Sequence, residues 1–235
     1  MISKCLHTLL YTCTSIFVVL GISWVILIQC NFFYSFWHQH GGIGETVEYF
    51  APINQHISNF ELTTLAERDT LFKEISHAVH FSADSLKEIQ FSVMGASQYL
   101  LHDREVTHLK DVANVINVLF FVIFLSFIAW CYLLYQTINS QQKLPSIGTQ
   151  SIIILSLLTV LTLLTVSIGA TDVFYWLHEV IFPDNHQWFF YYEDSLMSTL
   201  MSAPDLFGWI AIEWLILFIV TFYFVHLSVA KIISM

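Results

Sequence analysis

Three residues of this 235-residue chain stand closest to chemistry by type and place: His108, His178 and Glu213. His108 has an acid three residues away on each side, Glu105 and Asp111, so all three share one face if the segment is helical. A histidine oriented by a carboxylate suits proton transfer. The plainer account is a solvated helix end with ordinary charges. His178 follows Val173, Phe174 and Leu177, which with Ile181 fall on one helical face. An apolar setting favours the neutral ring, the form that accepts a proton. The plainer account is a histidine in an aromatic belt. His178-Glu179 does not begin a zinc-protease HExxH motif, because Phe182 holds the fifth place. Glu213 is the one acid inside a long apolar stretch, and an ionisable residue at such depth is a functional candidate by default. Its plainer account is a hydrogen-bonded structural acid. His38, His40, His56, His77, His80, His102 and His186 are scattered; His77 and His80 are helix-spaced, but surface exposure explains them more simply. No GxSxG elbow, phosphate-binding glycine loop or CxxC pair occurs. No cofactor and no metal is therefore expected.

The elements that must position these residues follow from composition. The chain is 56% hydrophobic and 11% charged, against about 25% charged in soluble domains. Four apolar stretches, about 9–28, 113–135, 147–170 and 207–229, each approach the ~20 residues that cross a bilayer as a helix. The fold class expected is an all-α membrane protein with four transmembrane helices, forming a single membrane domain. Lys4, Lys143 and Lys231 are the charged residues of the tails and the short middle loop. The segment 31–111 holds eleven acids and five bases, and 171–206 six acids and no base. The positive-inside rule then puts both termini in the cytoplasm and two loops, about 31–112 and 171–206, outside. The net charge of −10 resides mostly on those loops and argues against a nucleic-acid partner. The first stretch reads as a retained anchor: its apolar core exceeds the 7–15 residues of a signal peptide, and Ile28 and Gln29 are too bulky before Cys30 for lipoprotein processing. Cys5, Cys13, Cys30 and Cys131 lie in or beside the spans as apolar fillers, not a disulfide framework.

The outer loops carry helical spacing of their own. Leu62, Leu65, Phe72, Ile75 and Val79 predict an amphipathic helix over 61–79, and Leu86, Ile89, Val93 and Leu100 a second over 86–100. Gly41, Gly42 and Gly44 read as a turn beside an interfacial aromatic group that includes Trp37. Asp103 is the expected N-cap of a helix running straight into the second span. In the second loop, 172–181 predicts a helix lying along the interface, Pro183-Asp184-Asn185 a turn, and Pro204 the start of the last span.

With the two histidine motifs placed, the chain resembles a family of bacterial four-span membrane proteins that includes the lipoprotein intramolecular transacylases. One matching stretch is 104–112, Arg-Glu-Val-Thr-His-Leu-Lys-Asp-Val. The other is 174–188, with His178, Phe182, Pro183 and Trp188 in family-like places, followed by Pro204 and Phe207. The order and depth of both, and the long first and shorter second outer loop, fit the family. Two departures stand out: Tyr191-Tyr192-Glu193-Asp194 replaces an aspartate-proline after the tryptophan, and no phenylalanine precedes Pro204.

The resemblance implies an enzyme of the bacterial cytoplasmic membrane, multi-pass, with its active face extracytoplasmic. It would move an ester-linked acyl chain within a diacylglyceryl lipoprotein to the N-terminal cysteine amine. His108 and His178 would then be the catalytic pair, supported by Glu105, Asp111, Glu213 and Trp188, and the partners would be membrane lipid and the lipoprotein. The alternative is a non-enzymatic membrane protein whose outer loops bind a lipid or protein. A redox protein ranks last, because histidine is nearly absent from the spans.

Overall fold

The computed structural model describes residues 4–233. Four of its helices are long and apolar enough to cross a membrane. In chain order, α1 is Lys4–Gln29, α2 Tyr34–His40, α3 Ile43–Phe50 and α4 Leu65–Phe81. A hairpin of β1 (Gln90–Val93) and β2 (Ala96–Tyr99) follows. Then come α5 (Asp103–Asn139), α6 (Ile147–Ile168), α7 (Ala170–Ile181), α8 (Leu196–Met201) and α9 (Asp205–Ile233). The long apolar helices α1, α5 and α9 contain three of the four stretches read from the sequence, and α6 covers the fourth, 147–170, as far as Ile168. The 37 residues of α5 extend about 55 Å, well beyond a ~30 Å hydrocarbon core.

The chain divides into two compact units. The first comprises the chain up to Trp24, Val118–Val180 and the chain from Trp214. Its inner packing joins Ile16 and Val19 of α1 to Phe218 and Phe222 of α9. Trp214 donates its indole N–H to the Leu20 carbonyl at 3.1 Å. Gly21 lets α5 come close, since a Cβ there would stand 2.7 Å from Ile123 Cγ2. Elsewhere the apolar side chains face outward: Phe121 and Phe124 on α5, Ile152, Leu155 and Val166 on α6 are all exposed. An apolar patch of that extent is incompatible with water and matches a lipid-facing surface. Polar side chains are closed on the backbone, as where the Ser15, Ser23 and Thr137 hydroxyls donate to the carbonyls of Tyr11, Val19 and Leu133.

The second unit comprises Val25–Asn117 and Ile181–Glu213. Its centre is α4, which starts with a capping box: Thr64 and Glu67 satisfy each other's backbone N–H. Leu71, Phe72, Ile75 and Val79 form its buried face. Tyr34 stacks on Phe72 with ring centroids 4.5 Å apart, and its hydroxyl donates to the Leu200 carbonyl at 2.8 Å. Arg68 is buried without a carboxylate partner among the described residues. Its guanidinium donates instead to Thr63 Oγ1, the Glu61 carbonyl and His38 Nε2.

Three expectations for the loops need correction. The stretch 86–100 is not a helix but a 3-10 turn and a hairpin. The period-2 set Ile89, Phe91 and Val93 is buried, and Met94-Gly95 turns the chain with φ of 52° and 82°. Leu86, Ile89 and Val93 fit helical spacing equally well, but the glycine turn decides between the two periods. The predicted helix over 61–79 begins only at Leu65, after its cap. Gly41 and Gly42 do make a turn, with Gly42 at φ 87°, whereas Gly44 lies inside α3.

Candidate active site

The first turns of α5 are held by side chains from the segment 182–195. α5 begins one residue after His102, whose N–H donates to Glu105 Oε2 at 2.6 Å. Glu105 thus caps the helix from its third position, the acid's half of a capping box; Asp103 is already helical rather than the cap. The other oxygen, Glu105 Oε1, accepts from the Ser195 hydroxyl at 2.5 Å. Ser195 in turn caps α8, its Oγ accepting from the Ser198 N–H. Glu105 is 1% exposed, so both of its oxygens are satisfied within the protein. One turn further, Asp111 Oδ2 lies 2.6 Å from His186 Nδ1. Arg104 reaches the Gln187 side-chain carbonyl at 3.2 Å, and Lys110 pairs with Asp84 at 2.7 Å.

His108 sits between these fixed points. Its ring meets Phe182 edge-on with centroids 4.9 Å apart and lies 5.9 Å from Phe190. It is half-buried. Glu105 and Asp111, expected to orient His108, give the contacts above to Ser195, His102 and His186. Trp188 is half-buried and edge-on to Phe189. Tyr192 closes the segment by donating to the Ala203 carbonyl at 2.6 Å, and burial pushes its phenol up.

His178 belongs to the other unit. It rides on α7, which starts where Gly169 (φ 104°) breaks the helical path from α6. Its Nδ1 lies 2.7 Å from the Phe174 carbonyl, and its ring is 4.0 Å from that of Phe174. A carbonyl only accepts, so Nδ1 carries a hydrogen. Glu213, early in α9, takes the Trp37 indole N–H on Oε1 at 2.5 Å. Ser195 and His186 were missed in the sequence. The signal for Ser195 was a serine before the short segment 196–201, an N-cap pattern; nothing local marks His186 as the partner of Asp111. Among the described residues no group of three ligating side chains could hold a metal ion.

Four helices long and apolar enough to cross a membrane define the class, a membrane-integral helical protein. Residues 8–203 match the family model of the lipoprotein intramolecular transacylase Lit, and the chain belongs to that family of membrane enzymes. Two solved structures of the membrane-integral lipoprotein intramolecular transacylase Lit from Bacillus cereus have the same fold. One, a histidine-to-arginine variant, is 14% identical with a TM-score of 0.69, over 97% of this chain and 91% of that one. The other is 13% identical with a TM-score of 0.66, over 96% and 95%. No protein among the curated ones matches the chain.

Proposed function

We propose that the chain transfers an acyl chain within a diacylglyceryl lipoprotein, from a glycerol ester to the N-terminal cysteine amine, at the outer leaflet of a bacterial cytoplasmic membrane. His108 and His178 act as acid and base. The observation that carries this reading is the Nδ1–H bond of His178 to the Phe174 carbonyl, which orients the ring, in a chain of the transacylase family.

The chemistry needs little else. The cysteine ammonium loses a proton to a neutral imidazole, and the amine nitrogen attacks the ester carbonyl. As the C–N bond forms the attacking nitrogen gives up a second proton, the ester C–O bond breaks, one of the two protons passes through the imidazolium to the glycerol oxygen, and the other is released to water. One ester becomes one amide with no co-reactant and no covalent enzyme intermediate. Because both groups belong to one lipoprotein, the step gains the advantage of an intramolecular reaction. Basic, acid-free segments around Lys4, Lys143 and Lys231 support cytoplasmic termini.

The test is co-expression with a diacylated lipoprotein in a host lacking N-acylation, followed by mass spectrometry. A lyso product with its acyl chain on the cysteine nitrogen is expected. His108→Ala and His178→Ala should each reduce it by about 10²–10⁴-fold. Unchanged diacylated lipoprotein, with the protein folded in the membrane, would refute the reading and favour a role in binding a lipid or protein partner.

A further inference from the structure

We propose that Glu213, Trp37 and Trp209 form a recognition site for a primary ammonium group. In the reaction proposed above, on which this deeper assignment rests, that group is the N-terminal amine of the lipoprotein cysteine.

The carboxylate is held on one side only. Trp37 donates its indole N–H to Glu213 Oε1 at 2.5 Å. The Trp37 ring lies flat on Trp209, with centroids 4.5 Å apart and planes 8° apart. Gly41 permits this clamp: a Cβ there would stand 2.8 Å from the Trp37 carbonyl and 3.1 Å from Trp209 Nε1. Oε2 is buried, and among the described residues no group bonds to it. Neither protonation state repairs this. Ionised, Oε2 lacks a donor; protonated, its O–H lacks an acceptor. Such an atom costs about 1–3 kcal/mol, and among the described residues no lysine or arginine comes within ion-pair distance of it.

An ammonium group answers both the missing donor and the uncompensated charge. It brings an N–H donor for Oε2 and a positive charge for the carboxylate. An uncharged alcohol or amide would satisfy only the first. Two molecules at a membrane surface carry this chemistry, the cysteine amine and the headgroup of phosphatidylethanolamine.

The experiment uses the full chain in phosphatidylglycerol nanodiscs. The probe is a peptide with an ether-linked dialkylglyceryl cysteine, which binds without reacting. The free-amine peptide should bind at least about 10-fold more tightly than its N-acetylated form, and Glu213→Gln should shrink that preference to about 2-fold or less. Equal binding of the two peptides by the wild type, a comparison that needs no variant, overturns the proposal. So does a preference that survives in folded Glu213→Gln. Adding phosphatidylethanolamine separates the two sources. Unchanged probe binding supports the cysteine amine; Glu213-dependent displacement overturns it as the preferred occupant. Acyl transfer without amine preference would end this proposal alone. Amine preference without acyl transfer would end the transacylase reading and leave the site.

Discussion

Ser195 and Glu105, 90 positions apart, are joined by a hydroxyl-to-carboxylate hydrogen bond of 2.5 Å that fastens the segment before α8 to the start of α5. It stands one turn from His108 and is buried on both sides. Glu105→Ala would strand the Ser195 hydroxyl and the His102 N–H together. A loss of about 1–3 kcal/mol is expected, read by denaturant unfolding in detergent, with faster hydrogen exchange at the start of α5. By contrast His186→Ala, which removes the half-exposed partner of Asp111, should cost at most about 1 kcal/mol. Equal effects of the two substitutions would contradict this ranking.

His38 makes the outer unit sensitive to acid. Burial is the main cause, and the nearby Arg68 guanidinium the second, that hold its imidazole below the ordinary value of 6.5. Its Nε2 accepts from Arg68 at 3.2 Å, which only a ring unprotonated at that nitrogen can do. Burial likewise lowers His80. The unfolded chain therefore binds these protons more readily than the folded one. The stabilising contribution is complete above about pH 6.5 and is lost as the pH falls through the folded values. Thermal unfolding across pH 7.5 to 5 should show this decline, and His38→Gln should flatten it. An unchanged slope in that variant would exclude His38 as a source.

Gly169 sets the direction in which α7 leaves α6. At φ 104° and ψ 131° the backbone occupies a region that side-chain-bearing residues avoid, and an added Cβ would also approach Asp172 Oδ2 to 3.1 Å. Gly169→Ala should cost about 1–3 kcal/mol and lower acyl transfer through displacement of His178. Mass spectrometry of the lipoprotein product, alongside unfolding, checks both. Full activity would show that the bend tolerates a side chain.

The membrane helices were legible because a charge-free run of about twenty residues has one stable solution in lipid. The helix bearing His178 was legible too, from Val173, Phe174, Leu177 and Ile181. The hairpin was not, since Leu86, Ile89 and Val93 suit both periods and only the Met94-Gly95 turn separates them. Nor were the partners of the site: Asp111 has histidines at several distances in sequence, and its bond to His186 is a product of tertiary packing. Ser195 was visible as a cap at best, and its second role on Glu105 depends on a residue from the other loop.

Arg68 carries one more consequence. The buried cation of the second unit is anchored by a threonine hydroxyl, a backbone carbonyl and an imidazole, all of them uncharged acceptors. Ionic strength weakens attraction between opposite charges far more than it weakens short bonds to neutral dipoles. Added salt should therefore loosen the exposed pair of Lys110 and Asp84 before it loosens the bonds that hold Arg68.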